Sequence, residues 1–528
     1  MPSTRLSSGY LNSGPNQCAM KSYRYIAVAV LVLVALAFGS FYFFPLYNYQ
    51  SSQSSALEGG VSYFSTAKSL ENGQAFQLSA GKVAKEISGR KIEMFGYNSQ
   101  VPGPLLKVNQ GDSINLSFQN NIGEDTTVHW HGIRLDNQFD GVPGVTQPPV
   151  SSGGSFLYEL DFPDPGLYWY HPHIREDKQQ ELGLYGGILV EPSQGYYNQA
   201  NMEEVIFLDD IDISNGQPLF YDGLIDHALM GRFGSTMLLN GRTDYKLRVK
   251  KGEVVRLYFA NAANSRVFNV SIPGVKLKLV GSDNGAFEKE SFVDSIVVSP
   301  SERYIVEALF DSQGVFEIKN INPIRGYTMG KVEVSQETAS QDFSADFYSL
   351  RENSQVKASI DEFRPFFGKE PGLALRFDVQ MAHRMSMMEA DSHGIEWEDT
   401  MGMMNSHMTD SMTKWIIEDM ETKEQNMDIS MEWKQGDKVK IRLFNDPTSP
   451  HPMQHPIHFH GQRFLVLEKD GVKNTNLAWK DTVLVPSGST VDILLDASNP
   501  GTWMAHCHIA EHLHSGMMAE FIVSPQSF

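Results

Sequence analysis

Cysteine is almost absent from this chain: its 528 residues include only two, Cys18 and Cys507. Two cysteines cannot build a disulfide framework, which excludes the disulfide-rich secreted scaffolds. Basic residues are also scarce, since 43 lysines and arginines stand against 63 acids and the formal charge is −20. A general nucleic-acid binder needs a basic face to neutralise phosphates, so we expect no nucleic-acid partner. A hydrophobic content of 41% excludes global disorder.

Residues 26–44 contain no charge at all, and basic residues precede them. This is about the length that a helix needs to cross a bilayer, with the basic flank on the cytoplasmic side. We predict a cytoplasmic region at 1–25, a transmembrane anchor or signal segment at 26–44 and a linker at 45–75. The body is then periplasmic or otherwise extracytoplasmic, anchored to the inner membrane or exported. An uncleaved anchor is favoured, because signal peptides have shorter apolar runs of ~7–15 residues.

The body repeats one pattern three times. A glycine turn followed by alternating apolar and polar residues occurs at Gly111, Gly252 and Gly436, about 140 and 185 residues apart. This alternation is typical of half-buried strands, and long amphipathic helical patterns are scarce. Short strands with Gly and Pro turns predict an all-β fold of three Greek-key β-sandwiches. The predicted domains are 76–195, 196–345 and 346–528.

Ten of the 16 histidines fall in four clusters within the first and third repeats, and the middle repeat lacks them. Residues i and i+2 of a strand point to the same face, so each His-x-His places two imidazoles side by side. If the outer domains face each other, eight nitrogens converge in an arrangement suited to copper, zinc or iron. The clustered histidines are His129, His131, His171, His173, His455, His458, His460, His506, His508 and His512.

Cys507 lies between two of these histidines. The strand period sends His506 and His508 to one face and the Cys507 sulfur to the other, toward a second site. His512 follows five residues later and Met517 ten residues later. Together with His455 they form the ligand set of a blue-copper electron-transfer site: two histidines, one cysteine and a weak methionine.

With all four motifs present, residues 75–528 resemble a three-domain multicopper oxidase of the laccase type. The resemblance implies cupredoxin-like domains, four copper ions per chain, dioxygen as a partner that is reduced to water, and a monomer. Electrons would pass from a reductant through Cys507 to His506 and His508. By the same resemblance, type 1 copper is held by His455, Cys507, His512 and Met517, type 2 by His129 and His458, one type 3 ion by His131, His171 and His508, and the other by His173, His460 and His506.

Two further residues near these motifs bear on proton supply, and a third bears on the orientation of a ligand. Asp140 matches a family position that relays protons to the oxygen site, although an aspartate before Gly141 is also an ordinary turn residue. Many bacterial relatives carry a glutamate where this chain has Leu513, which puts a second proton route in doubt. Glu511 is expected to orient a metal ligand.

Methionine is concentrated in one place: 12 of 23 lie between Met381 and Met431, among many acids. Thioethers are soft ligands that favour Cu(I), and carboxylates attract cations. The segment resembles the methionine-rich insert of periplasmic cuprous oxidases used in copper tolerance, in which an aspartate stands at the position of His451. The candidate residues for substrate copper are Met453, His451, Met385, Met387, Met388, Met401, Met403, Met404, Met408 and Met412.

The sequence therefore predicts a multicopper oxidase that oxidises Cu(I). Three alternatives stay open. The protein could be a general laccase for phenols, with the insert as a lid, or an oxidase of other metal ions. It could also be a non-catalytic copper-binding or envelope scaffold. A flexible methionine-rich interaction surface is the other interpretation of the insert.

Overall fold

Short strands account for most of the ordered backbone in the computed structural model, which describes residues 60–61, 66–192, 195–214, 217–218, 220, 224–381 and 394–526. The predicted segments 1–25 and 26–44 lie outside the described residues, as do Met385, Met387 and Met388. Across the described ranges, no helix combines the length and apolar character that a membrane crossing needs.

Ten strands form a first pair of sheets. One sheet has the order β1-β3-β6-β8, with β4 beside β3, and the other has the order β2-β5-β10-β9-β7. Burial alternates along β6, where Ile114, Leu116 and Phe118 face the core, as the alternating pattern predicts. The strands are β1 (Gly60–Val61), β2 (Ala67–Ser69), β3 (Ala75–Ile87), β4 (Arg90–Tyr97), β5 (Leu105–Asn109), β6 (Ser113–Asn121), β7 (His129–His131), β8 (Ser155–Asp161), β9 (Gly166–His171) and β10 (Gly186–Glu191).

A second pair of sheets follows, with the orders β14-β11-β16-β21-β18-β19 and β15-β23-β22-β17-β20, and a two-stranded ribbon β12-β13 beside them. The strands are β11 (Met202–Ile211), β12 (Ile213–Ser214), β13 (Gln217–Pro218), β14 (Thr236–Leu239), β15 (Tyr245–Lys251), β16 (Glu253–Asn261), β17 (Phe268–Ser271), β18 (Leu277–Ser282), β19 (Gly285–Val293), β20 (Ile296–Val298), β21 (Arg303–Phe310), β22 (Gly314–Ile321) and β23 (Gly326–Thr338).

The third pair has the orders β25-β24-β27-β33-β29-β30, with β31 beside β29, and β26-β35-β34-β28-β32. The strands are β24 (Leu373–Met381), β25 (Thr413–Asp419), β26 (Met431–Lys434), β27 (Asp437–Asn445), β28 (His455–Phe459), β29 (Arg463–Lys469), β30 (Val472–Lys473), β31 (Trp479–Lys480), β32 (Thr482–Val485), β33 (Thr490–Ala497), β34 (Gly501–Cys507) and β35 (Met518–Ser524).

Helices are few and short in the described part of the chain. Two of them, α1 and α5, contact each other near the histidine motifs. The α-helices are α1 (Glu176–Gln179), α2 (Ser344–Tyr348), α3 (Ser354–Asp361), α4 (Gly402–Asn405) and α5 (Ala510–His514), and 3-10 turns occur at Asn137–Phe139, Arg364–Phe366 and Asn426–Asp428.

One continuous apolar core runs through the first and third pairs and includes Trp130, Phe459 and Trp503. The middle pair has a separate core. Because the outer pairs share their core, β7 and β9 of the first come to lie beside β28 and β34 of the third. The all-β prediction is confirmed, while the Greek-key connectivity and the domain limits stay predictions.

Candidate metal centre

The eight histidines of the four His-x-His motifs converge where the outer pairs of sheets meet. His129 lies opposite His171 in the β7–β9 ladder, and His458 lies opposite His506 in the β28–β34 ladder. Imidazoles also stack across the boundary: the ring centroids of His131 and His458 are 3.7 Å apart. All eight rings are buried. The convergence that strand periodicity predicts is therefore present.

The histidines divide into groups compact enough to hold an ion. In each group one ligand atom per residue lies within 4.8 Å of the others. Two groups have the composition expected for the type 3 ions, and His129 and His458 come together with His131 in a third. The groups are His131, His171 and His508; His173, His460 and His506; and His129, His131 and His458.

Unpartnered ring nitrogens show that the cluster fits metal ions. Six buried nitrogens have no hydrogen-bond partner within the described chain, and leaving a buried polar atom unpaired is costly. The remaining two, the Nε2 atoms of His460 and His506, lie 2.9 Å apart. The six are His129 Nε2, His131 Nδ1, His171 Nε2, His173 Nε2, His458 Nε2 and His508 Nε2.

Main-chain carbonyls fix the orientation of several rings. The Nδ1 of His129 donates to the carbonyl of Asp140, and the Nδ1 of His458 donates to that of Asp481, at 2.8 and 2.9 Å. His506 Nδ1 donates to the Cys507 carbonyl at 2.8 Å. A proton held on Nδ1 leaves Nε2 as the free lone pair. These rings are therefore preorganised for metal binding.

Burial also favours the neutral, metal-binding form of the imidazoles. It lowers the pKa of His173 and of His506 to about 4. For five others burial, followed by the neighbouring imidazoles, moves the pKa well below its usual value. These five are His131, His171, His458, His460 and His508.

A second centre lies on the other side of β34. The Cys507 sulfur is 3.5 Å from His455 Nδ1 and 3.8 Å from His512 Nδ1, and all three residues are buried. The Cys507 amide donates to the carbonyl of Met517 at 3.1 Å, and this methionine is also fully buried. Burial raises the pKa of the Cys507 thiol, so a thiolate here needs a cation beside it. We call His455, Cys507 and His512 the Cys507 cluster.

Three carboxylates stand against the histidine groups. Asp140 Oδ2 accepts from His460 Nδ1 at 2.8 Å, and Asp481 Oδ1 accepts from His131 Nε2 at 3.1 Å. Glu176 Oε1 lies 3.2 Å from His173 Nδ1. Each acid touches a different ring, an arrangement that orients metal-binding imidazoles.

Asp481 and Glu176 were not predicted from the sequence. Glu176 follows His173 by three residues, a spacing that could have suggested it. Asp481 gives no local signal, because 350 residues separate it from His131. Asp481 is itself held by Arg303 of β21, whose two terminal nitrogens donate to its two oxygens at 2.6 and 2.5 Å. The middle pair, which has no His-x-His motif, thus supplies a guanidinium that supports the metal centre.

In α5, Leu513 stands where the resemblance described above leads one to expect a glutamate. Leu513 lines a cavity of about 360 Å³ together with His173, Glu176 and His514. The imidazole of His514 is ion-paired with the Glu176 carboxylate. Against the effect of burial, this pairing raises the pKa of His514 and, with His173, lowers that of Glu176. The carboxylate beside His173 thus comes from α1, while the position of Leu513 is apolar.

Glu511 faces the middle pair of sheets. Its carboxylate accepts from Ser265 Oγ at 3.2 Å and lies 3.9 Å from Arg232 Nε. Burial raises its pKa to about 7. Within the described residues, none of its hydrogen bonds reaches a predicted copper ligand, and its orienting role stays a prediction.

Part of the methionine-rich segment packs on the apolar core that also contains Cys507. Met408 is buried, Met401 and Met404 pack against the same core, and Met403 is 86% exposed. Met412 is at the surface and Met453 is fully buried. His451 is nine-tenths buried, and its Nε2 has no partner among the described residues. A residue absent from the predictions, Trp415, stacks on His512 with ring centroids 4.0 Å apart.

Comparison with known proteins gives this geometry a family. Three models described as multicopper oxidase match residues 80–195, 209–340 and 398–527. The chain belongs to the multicopper oxidase family. It is an oxidoreductase that uses copper and oxygen, and the family binds four copper ions per chain. The two centres described above provide donor sets that fit them.

Two curated relatives and one solved structure illustrate the similarity. Multicopper oxidase MmcO of Mycobacterium tuberculosis is 27% identical over 82% of this chain and 83% of its own length. Copper resistance protein A of Pseudomonas syringae pv. tomato is 25% identical over 86% and 93%. A crystal structure of a multi-copper oxidase from Pseudomonas thermotolerans superposes with a TM-score of 0.66 at 26% identity, covering 87% of this chain and all of that one.

Proposed function

We propose that this multicopper oxidase oxidises Cu(I) to Cu(II) and uses the electrons to reduce dioxygen to water. The observation that carries the proposal is that Trp415, which lies within the methionine-rich segment, stacks on His512 of the Cys507 cluster. The Met408 carbonyl accepts from the Ala228 amide at 3.0 Å, the Ala228 carbonyl accepts from Trp415 Nε1 at 2.7 Å, and Trp415 stacks on His512. The methionine-rich segment, whose soft thioethers would select Cu(I), thus reaches a residue of the cluster at which an electron would enter.

The donor geometry supports the assignment of ligands implied by the family. Copper supplies one-electron redox chemistry when it is bound. We propose type 1 copper at His455, Cys507, His512 and Met517, type 2 copper at His129 and His458, one type 3 ion at His131, His171 and His508, and the other at His173, His460 and His506.

Cys507 connects the two centres through covalent bonds. Its sulfur belongs to the Cys507 cluster, while its main chain joins His506 and His508, whose rings belong to the two histidine groups. The carbonyl of Cys507 also accepts from His506 Nδ1, which adds a short hydrogen-bonded route. We propose that electrons follow these bonds from one centre to the other.

Oxygen reduction consumes protons, and two carboxylates are placed to deliver them. Asp140 is hydrogen-bonded to His460, and Glu176 lies 3.2 Å from His173 and lines the same cavity as His514. We propose Asp140 as a relay and as an orienting group for His460. The cavity offers solvent a route to Glu176 at the side where Leu513 carries no carboxylate.

The cellular setting is part of the proposal. The uncharged segment 26–44 would place the body outside the cytoplasm, in a periplasm or an equivalent compartment, attached to the membrane or exported. The name of the Pseudomonas syringae relative, copper resistance protein A, agrees with a role in copper tolerance. We propose a monomer.

Oxygen consumption by the purified full-length protein tests the function. With cuprous ion as reductant we expect rapid uptake, and with Met401, Met404 and Met408 all replaced by leucine we expect a higher KM for cuprous ion and unchanged phenol oxidation. Replacing the exposed Met420 and Met427 by leucine is the matched control. Absence of cuprous-dependent uptake in the wild type overturns the proposal.

Cys507→Ser separates an enzyme from a scaffold. Removing the thiolate should abolish oxygen uptake with every reductant while the histidine groups still bind copper. Uptake that persists in this variant would show that the oxidation does not pass through Cys507.

A further inference from the structure

Copper has to reach a centre that the folded chain encloses. The eight rings of the four His-x-His motifs are 0–7% exposed, and His173 is the most exposed of them. His173 lines the cavity of about 360 Å³ that also borders α5. The half-buried Pro143 and Ile174 belong to the same wall, so the cavity extends toward the protein surface. It is therefore a candidate entrance to the histidine groups.

Two methionines of the cavity wall flank His506. Met504 precedes His506 by two residues in β34 and is 2% exposed, and the half-buried Met518 lies directly opposite His506 in the β34–β35 ladder. Residues i and i+2 of a strand, and residues directly opposite each other, share one face of the sheet. The Cβ atoms of such an opposite pair lie about 4.5–5.5 Å apart. Both thioether side chains therefore lie on the face that carries the histidine groups, opposite to the Cys507 sulfur.

The charges on the cavity wall allow a cation to enter. The Arg175 guanidinium donates to both carboxylate oxygens of Asp177 at 2.8 and 2.9 Å. His514 is ion-paired with Glu176, which lies on the same wall. Each of these two basic side chains is thus matched by a carboxylate, and the chain as a whole carries a charge of −20. Thioethers are soft ligands that favour Cu(I), so the wall suits a cuprous ion better than a hard divalent one.

We propose that this cavity is the entrance through which cuprous ions load the histidine groups of the folded protein, and that Met504 and Met518 pass each ion to the group of His173, His460 and His506. Two thioethers bind the ion in transit, and three imidazole nitrogens then replace them. The ion keeps its charge, so no electron or proton has to move. Loading concerns the resident copper ions, and it is independent of the reductant that the enzyme oxidises.

The rate of copper loading tests this role. Copper is removed from the full-length protein with a chelator, and its return is followed without oxygen by counting the ions that resist a chelator quench. A Cys507→Ser background restricts the count to the histidine groups. With Met504 and Met518 both replaced by leucine, we expect loading by Cu(I) to slow about tenfold, which corresponds to a barrier about 1.4 kcal/mol higher. The final copper content should equal that of the protein with both methionines.

Two comparisons separate thioether chemistry from packing. Leucine conserves the volume of methionine, so the double variant should keep its fold. Cu(II), which does not prefer thioethers, should load the double variant at the rate of the protein with both methionines. Met202→Leu combined with Met329→Leu, which replaces a half-buried and a buried methionine of the middle pair, is the matched control and should load both ions normally.

A bulkier side chain in the cavity tests the route itself. Val145 lines the cavity, and Val145→Phe narrows it, so this variant should load Cu(I) and Cu(II) more slowly. Val472→Phe, at a position of the third pair that is 72% exposed, should change neither rate.

The results that overturn the inference are distinct. Equal slowing of Cu(I) and Cu(II) in the double methionine variant would show that the two methionines only pack. Unchanged loading in that variant, or in Val145→Phe, would show that copper enters elsewhere. A higher KM for dioxygen in the loaded double variant with Cys507 retained, at an unchanged loading rate, would assign the cavity to dioxygen instead. None of these results depends on whether the wild type oxidises cuprous ion.

Discussion

Replacing Asp140 by alanine should weaken copper binding and slow oxygen consumption. The carboxylate accepts a 2.8 Å hydrogen bond from His460 Nδ1, whereas His129 is held by the main-chain carbonyl of Asp140, which alanine keeps. The substitution therefore releases one ring of the histidine groups and leaves the other in place.

The size of the effect follows from that single bond. A hydrogen bond to a buried charged group contributes about 1.5–3 kcal/mol. Loss of such a partner of a metal-binding histidine lowers affinity or activity about 10–100-fold. The two ranges agree, since about 1.4 kcal/mol corresponds to a factor of ten. Asp140→Asn retains an oxygen that can accept the same bond, so its copper affinity should stay close to that of the wild type. If Asp140→Asn binds copper normally but consumes oxygen more slowly, the carboxylate of Asp140 transfers protons.

Copper content after dialysis against a graded chelator, together with oxygen uptake, measures both quantities. Asp136→Ala is the control, because Asp136 is exposed and only caps the adjacent 3-10 turn. If Asp140→Ala keeps wild-type affinity and rate, the orienting role assigned to this carboxylate is refuted.

Three further results are expected. Glu176→Gln weakens the ion pair with His514 and the contact with His173. It should lower the copper content at limiting copper about tenfold or more. A copper content equal to that of the wild type would show that these contacts do not support copper binding. Met517→Leu should keep copper bound but raise the reduction potential, because a donor to the oxidised ion is lost, and a redox titration of the blue band measures this. Asp164 is paired with Arg134 and Arg463, which against the effect of burial lower its pKa. Its ionised form therefore stabilises the fold above the unfolded pKa of about 3.9, and the benefit is lost as pH falls toward the lower folded value. Asp164→Asn should melt at a lower temperature than the wild type at pH 7, with the difference shrinking at acid pH.

Much of the metal centre could be predicted because its signals are local. Two imidazoles separated by one residue share a strand face whatever the rest of the chain does, so His129 with His131, and His506 with His508, were predictable as pairs. The same strand period predicts that the Cys507 sulfur points away from the rings of His506 and His508. The all-β architecture was likewise readable from alternating strands such as β6 (Ser113–Asn121).

The residues that support the ligands were not predictable, because their contacts join distant parts of the chain. Asp481 reaches His131 across 350 residues and Arg303 reaches Asp481 across 178. Trp415 becomes important only because its strand, β25, packs on His512. The strand period does not predict these long-range contacts. They depend on how the three pairs of sheets pack against one another.

The bond from Arg303 to Asp481 gives the middle repeat a further significance. Excising that repeat would remove the guanidinium that neutralises Asp481 beside His131 and His458. A shortened oxidase made by joining the outer repeats would therefore need a replacement for this one guanidinium before its imidazoles could keep their positions. The repeat without His-x-His motifs thus stabilises a copper site to which it contributes no ligand.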